Sequence, residues 1–102
     1  VKLQQEGKCK PIIVHGGGPL ISSLLTKMGV ETSFVNGLRV TTKDVLSVVE
    51  MALSGAVNKQ IVGNLQKAGG NAYGISGVDG KLLLAEPAAD PNLGYVGEVT
   101  HV

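Results

Sequence analysis

Three consecutive glycines, Gly16 to Gly18, stand between a short apolar run and a helical stripe, and this junction constrains the fold more than any other feature of the chain. On its N-terminal side, Lys10 to Val14 (KPIIV) carries two isoleucines and a valine, the make-up of a buried strand. On its C-terminal side, Pro19 suits the N1 position of a helix, and Ile21, Leu24, Leu25 and Met28 recur at i, i+3, i+4 and i+7 until Gly29. The spacing predicts strand, glycine loop, helix. Without β-carbons the loop backbone can approach a ligand closely, and its free N–H groups gather at the positive end of the helix. That arrangement suits an anion: a phosphate, a carboxylate, or an oxygen that becomes negative in a transition state. A plain turn needs one or two glycines, not three in a row before a helix.

The rest of the chain alternates in the same way. Val1 to Gln5 reads as a helix end closed by Gly7. Asn36-Gly37, between Phe34-Val35 and Leu38-Arg39-Val40, is a strong hairpin signal because both turn residues tolerate positive φ. Thr41 with Asp44 resembles a capping box, and Val45, Val48, Val49, Ala52, Ala56 and Val57 continue at helical spacing towards Ile61, Val62 and Leu65. One long helix or two follow, ended by Gly69-Gly70. Gly55 and Gly63 each cost about 1 kcal/mol against alanine inside a helix, so close packing or a bend is expected near Ser54-Gly55. Asn71 to Ile75 and Lys81 to Glu86 read as strands around an Asp79-Gly80 turn. A proline-bounded loop, Pro87 to Pro91, precedes a last strand pair around Tyr95-Val96 and Glu98 to Val102. The alternation indicates an α/β fold with a covered sheet.

Composition removes several functions. Fifteen of the 102 residues are glycine, twice the ~7% usual in proteins, yet the chain is 43% hydrophobic with four prolines, so low complexity is not the cause. The length and balance suit one ordinary globular unit, near the low end for an enzyme with two substrates and therefore expected to be part of a larger protein. A net charge of +1 and three aromatics, Phe34, Tyr73 and Tyr95, give nucleic acid neither a basic patch nor a stacking surface. The uninterrupted apolar stretches fall short of the ~20 residues of a bilayer span, and Val1 to Lys10 has no signal-peptide core, so a soluble, cytoplasmic chain without membrane contact is expected. The single cysteine, Cys9, can form neither an internal disulfide nor a cysteine metal cluster.

Motif comparison narrows the chemistry. No Lys-Ser or Lys-Thr closes the loop, so it is not the G-x-x-x-x-G-K-[ST] phosphate loop, and Ile21 stands where G-x-G-x-x-G needs its last glycine. His15-Gly16-Gly17-Gly18 also matches the oxyanion-hole motif of lipase-like esterases, with Ser76, Asp90 and His101 in that fold's order. That reading fails because Val78 replaces the second glycine of G-x-S-x-G and a turn, not a helix, follows Ser76. Ser76 is then a turn hydroxyl and His101 a solvent-facing strand residue.

Five segments together resemble the amino-acid kinase family, and within it the branch acting on N-acetyl-L-glutamate. They are His15 to Pro19 (HGGGP), Asn36 to Thr41 (NGLRVT), Val57-Asn58-Lys59, Gly74 to Gly77 (GISG) with Asp79-Gly80, and Leu93 to Val99 (LGYVGEV). The likeness runs almost end to end. It implies a three-layer αβα sandwich of the carbamate kinase-like type, with a mainly parallel sheet and a β-hairpin lid, of which residues 1–102 are part of the N-terminal acetylglutamate-binding domain. The family's first strand and C-terminal ATP-binding domain, with the catalytic lysines and an organising aspartate, would lie outside the chain. The implied reaction is ATP- and Mg²⁺-dependent phosphorylation of the γ-carboxylate of N-acetyl-L-glutamate, the second step of arginine biosynthesis. It further implies that backbone N–H groups at Gly17 and Gly18 face the transferred phosphoryl group, that Arg39 binds the substrate α-carboxylate, and that the protein is a homo-oligomer, dimer or hexamer. Lys59, in mid-helix, reads as structural or interfacial, since such lysines are usually solvated. A non-catalytic amino-acid-binding or regulatory module on the same fold, or another carboxylate or carbamate kinase, remains an alternative.

Overall fold

A 25-residue helical rod, Lys43 to Lys67, organises the molecule, and the computed structural model describes all 102 residues around it. The rod has three parts. Helix α3 (Lys43–Glu50) leads into a π-helical stretch at Met51–Val57, which continues as helix α4 (Asn58–Lys67). Ahead of it lie α1 (Lys2–Gln5), α2 (Gly18–Lys27) and the hairpin strands β1 (Phe34–Val35) and β2 (Leu38–Arg39). Behind it come a 3₁₀ turn at Asp79–Lys81, strand β3 (Leu84–Pro87), a second 3₁₀ turn at Pro91–Leu93 and strand β4 (Gly97–His101).

The core forms where α2 crosses the first half of the rod. Ile21 and Leu25 of the expected α2 stripe are buried against Val45, Val48 and Ala52, and Leu24, Val30, Val49 and Leu53 pack around them. Both helices start within a residue of the expected position. Gly18, with Pro19 behind it, opens α2, and Thr42 rather than Thr41 caps α3, its hydroxyl accepting from Val45 N–H at 3.2 Å. Thr41 is withdrawn from capping because its backbone is engaged elsewhere. Its N–H donates to Leu93 O at 2.8 Å and its carbonyl accepts from Tyr95 N–H at 2.7 Å, which ties the hairpin to the Leu93-Gly94-Tyr95 turn. The disturbance expected near Ser54-Gly55 is present as a widened π turn, not a bend. Neither Gly55 nor Gly63 is closely packed, since nothing stands within 4 Å of a β-carbon added at either.

The Asn36-Gly37 hairpin forms as expected, with φ of +50° and +79° at its two turn residues and Phe34 opposite Arg39. The other strands differ. Lys10 to Val14 and Asn71 to Ile75 form no strand and stay unpaired, with Ile12 91%, Val14 92% and Tyr73 90% exposed. A strand gains its ladder of hydrogen bonds only from a neighbouring strand, and neither segment pairs with one. Strand β3 pairs antiparallel with β4, not with the residues before Asp79-Gly80, and a register shift falls between Leu84 and Ala85. Tyr95-Val96 forms a turn, not a strand. The two sheets are therefore antiparallel pairs, and the bridge from Thr41 to Gly94 is the single parallel pairing.

The expectation of one ordinary globular unit is corrected as well. The radius of gyration is 16.0 Å, against about 13 Å for a compact domain of this length. The accessible surface is 7581 Å², against about 5,400 Å² for a folded protein of this mass. Only 8 of 102 residues are buried, and isoleucines, valines and leucines before and after the rod in the sequence, among them Ile12, Ile13, Val14, Ile75, Val78 and Leu84, are exposed. By length and composition the rod could cross a bilayer. Instead it is gripped from the side, by α2 over its first half and by hydrogen bonds to its second.

Candidate functional site

The glycine loop sits at the start of α2, with Gly17 as its N-cap and Gly18 as its first residue. The first helical hydrogen bond runs from Ile21 N–H to Gly17 O at 3.0 Å, and no group of the chain accepts from the N–H of Gly16, Gly17 or Gly18. Gly16 and Gly18 are exposed. The loop thus presents three adjacent free donors at the positive end of a ten-residue helix. Its back is fixed. A β-carbon at Gly17 would lie 3.0 Å from Leu53 Cδ2 and 3.1 Å from Val57 Cγ2, so the backbone rests directly on the π turn.

Arg39 reaches the same helix from the hairpin. Its Nη2 donates to Ser22 Oγ at 2.9 Å, its Nη1 to Thr32 Oγ1 at 3.3 Å, and its guanidinium lies 4.8 Å over the Phe34 ring. Ser22 is four residues, one helical turn, beyond Gly18 and on the same face of α2. The hairpin therefore carries a planar cation to the side of α2 one turn above the free amides. Its two neutral hydroxyl partners leave its charge uncompensated.

A second group of contacts was not visible from the sequence. Asn58, at the head of α4, is buried, and its Nδ2 lies 3.1 Å from His15 Nε2 and donates to Ile75 O at 3.3 Å. Lys59 Nζ donates to Asn58 Oδ1 at 2.8 Å and to Gly74 O at 3.2 Å, so it is engaged with the chain and not merely solvated. His15 Nδ1 lies 3.1 Å from Gly16 O. Gly74 must be a glycine here, because Asn58 Oδ1 and Val62 Cγ2 occupy the place of a β-carbon. The available signal was an asparagine on the otherwise apolar face formed by Val57, Ile61 and Val62.

The esterase grouping does not assemble. Ser76 Oγ and N–H both bond Asp79 Oδ2, at 3.2 and 2.7 Å, Asp90 caps the Asn92 N–H at 2.9 Å, and His101 is exposed on β4 opposite Leu84. A groove of about 590 Å³ between Leu46, Pro87 and Tyr95 contains one carboxylate, Glu86, and no cation, a lining that does not suit an anion.

A free-amide cradle at a helix start, with a cation delivered by a hairpin, is the equipment of a phosphoryl- or carboxylate-handling protein. The chain belongs to the amino-acid kinase family: a sequence model of the Amino acid kinase family matches residues 1–102. Its curated relatives include the acetylglutamate kinase of Oceanobacillus iheyensis, 57% identical over 102 residues, which are 100% of this chain and 38% of that protein. The acetylglutamate kinase of Halalkalibacterium halodurans is 56% identical over 101 residues, covering 99% of this chain and 38% of that one. Among solved structures, smu.665 from Streptococcus mutans UA159 superposes with a TM-score of 0.86 at 36% identity, covering 99% of this chain and 41% of that one. The chain spans about two fifths of the length of these relatives.

Proposed function

We propose that the whole protein containing this chain is an acetylglutamate kinase, transferring the γ-phosphoryl group of ATP to the γ-carboxylate of N-acetyl-L-glutamate. The observation that carries this reading is the pairing of free Gly16–Gly18 amides with the Arg39 guanidinium on one face of α2. A carboxylate oxygen of the substrate attacks the γ-phosphorus, ADP leaves, and N-acetyl-L-glutamyl 5-phosphate forms, the intermediate of the second step of arginine biosynthesis. The amides of Gly17 and Gly18 donate to the oxygens that gain charge between carboxylate and phosphorus, and stabilise the transition state without a side chain. Arg39 receives the α-carboxylate through two parallel donors, fixing the distance from there to the attacking γ-carboxylate. Mg²⁺ would accompany the ATP phosphates and neutralise their developing charge.

In this reading residues 1–102 are part of an N-terminal acetylglutamate-binding domain, and the adenine pocket is built by a further, ATP-binding domain. The unpaired segments Lys10 to Val14 and Asn71 to Ile75 become strands of a parallel sheet in a three-layer sandwich once neighbours are supplied. The working protein is cytoplasmic and a homo-oligomer. Residues 1–102 alone form no acyl phosphate, measured as hydroxamate.

The test is Arg39→Lys in the full-length protein. Lysine cannot make the bidentate contact, so KM for N-acetyl-L-glutamate rises about tenfold or more while kcat changes less. An unchanged KM removes Arg39 from the substrate site. Binding of a free amino acid with no response to N-acetyl-L-glutamate, in a calorimetric titration, replaces the kinase reading with that of a binding module.

A further inference from the structure

The side chains behind the glycine loop have a direction as well as a location. Lys59 Nζ can only donate, so the atom of Asn58 facing it at 2.8 Å is the amide oxygen. The carbonyl of Ile75 can only accept, so the atom of Asn58 facing it at 3.3 Å is the amide nitrogen. With one hydrogen of Nδ2 given to Ile75, the other points to His15 Nε2 at 3.1 Å, and that ring nitrogen must offer its lone pair. The proton of a neutral ring is then on Nδ1, aimed at Gly16 O 3.1 Å away. Two groups that cannot reverse their roles thus set the sense of the whole series, from the Lys59 ammonium to the Gly16 carbonyl.

The Gly16 carbonyl shares a planar trans peptide with the Gly17 N–H, and the two point in opposite directions. Holding the oxygen against the His15 ring turns the Gly17 N–H away from it, and no group of the chain accepts that N–H. Hydrogen bonds in series also polarise one another, so a cation at the head of the series makes the Gly17 amide a stronger donor.

We propose that His15, Asn58 and Lys59 act as a positioning relay, which aims and strengthens the Gly17 N–H for the transferred phosphoryl group. None of the three touches substrate, and the inference rests on the phosphoryl-transfer reading above. It assigns a task to the π turn too. The widened stretch at Met51–Val57 ends on Asn58, so it supports the back of Gly17 through Leu53 and Val57 and sets Asn58 under His15.

The experiment uses the full-length protein with His15→Phe, Asn58→Leu, the double variant and His15→Asn, whose amide can restore a donor near Nδ1. Each of the first two lowers kcat about 10- to 100-fold, as misplacing a catalytic donor does. KM for both substrates stays within about twofold, the double variant is no slower than the slower single one, and His15→Asn recovers part of the rate. Independently of turnover, ¹⁵N spectra of labelled histidine and glycine report the Nδ1–H tautomer of His15, and an upfield shift of the Gly17 amide proton in Asn58→Leu. An Nε2–H tautomer, additive rate losses, or a kcat that stays put each overturns the relay. A wild-type protein that does not phosphorylate N-acetyl-L-glutamate overturns the kinase reading instead, and the tautomer and amide shift still decide whether the relay exists.

Discussion

The middle of the chain and its flanks obey different rules. Within α2 and the rod the backbone bonds over a few residues: α2 ends with Met28, Gly29 and Val30 N–H groups bonded to Leu24, Thr26 and Leu25 carbonyls, and α3 opens on the Thr42 hydroxyl. The resulting helices bury Ile21, Leu25, Val45, Val48 and Ala52. Lys10 to Val14 and Asn71 to Ile75 also carry apolar side chains, yet Ile12, Ile13, Val14, Tyr73 and Ile75 stay exposed and neither segment joins a ladder. Helical bonds are local, whereas those of a parallel strand come from segments distant in sequence.

The comparison can be broken at its strongest point first. Leu25→Ala should cost the full-length protein about 2–5 kcal/mol, read from the denaturant midpoint, because Leu25 is fully buried between α2 and the rod. A loss below 1 kcal/mol, a figure set by the range for such truncations, would mean that the helical centre is not the core. On the proposed kinase reading, Gly17→Val should lower kcat of the full-length protein by about 10²-fold or more, since the new side chain meets Leu53 and Val57 and displaces the amide. Near-normal turnover would detach the loop from catalysis. Thr42→Ala should cost about 1 kcal/mol and Thr41→Ser distinctly less, which sharpens the assignment of the cap. The smallest effect is the most telling for the flanks. Ile12→Ser in residues 1–102 should leave the helical circular dichroism and melting unchanged within error, but destabilise the full-length protein, where the segment is expected to be buried. Equal effects in both would show that Lys10 to Val14 already has its partners.

Much of the helical architecture was legible because its signals are short-range. The i, i+3, i+4 stripe located α2, the glycine stops located three helix ends, and Asn36-Gly37 located the hairpin with its positive φ values. The site was half legible. Three glycines before a helix indicated a loop with free amides at a helix start, which is present, and the NGLRV pattern singled out Arg39, which reaches Ser22 of that helix. Nothing in the spacing indicated that Asn58, more than forty residues beyond His15, would meet it with Lys59 behind, or that Thr41 would be drawn from its capping position to bind Leu93 and Tyr95. The strands were misjudged for a related reason. Apolar, β-branched runs mark burial without naming the neighbour, and β3 found β4 rather than the segment before Asp79-Gly80.

The amino-acid order by itself determined where helices begin and end, where the hairpin turns, and that a side-chain-free loop would precede α2, since each depends on residues within one or two turns of one another. Only the tertiary structure decided that this loop would lie on a π turn, that Arg39 would come to rest on Ser22, and that a lysine, an asparagine and a histidine would line up behind Gly17. Those contacts join residues far apart along the chain, and their geometry comes from how packed helices cross, which no local pattern encodes.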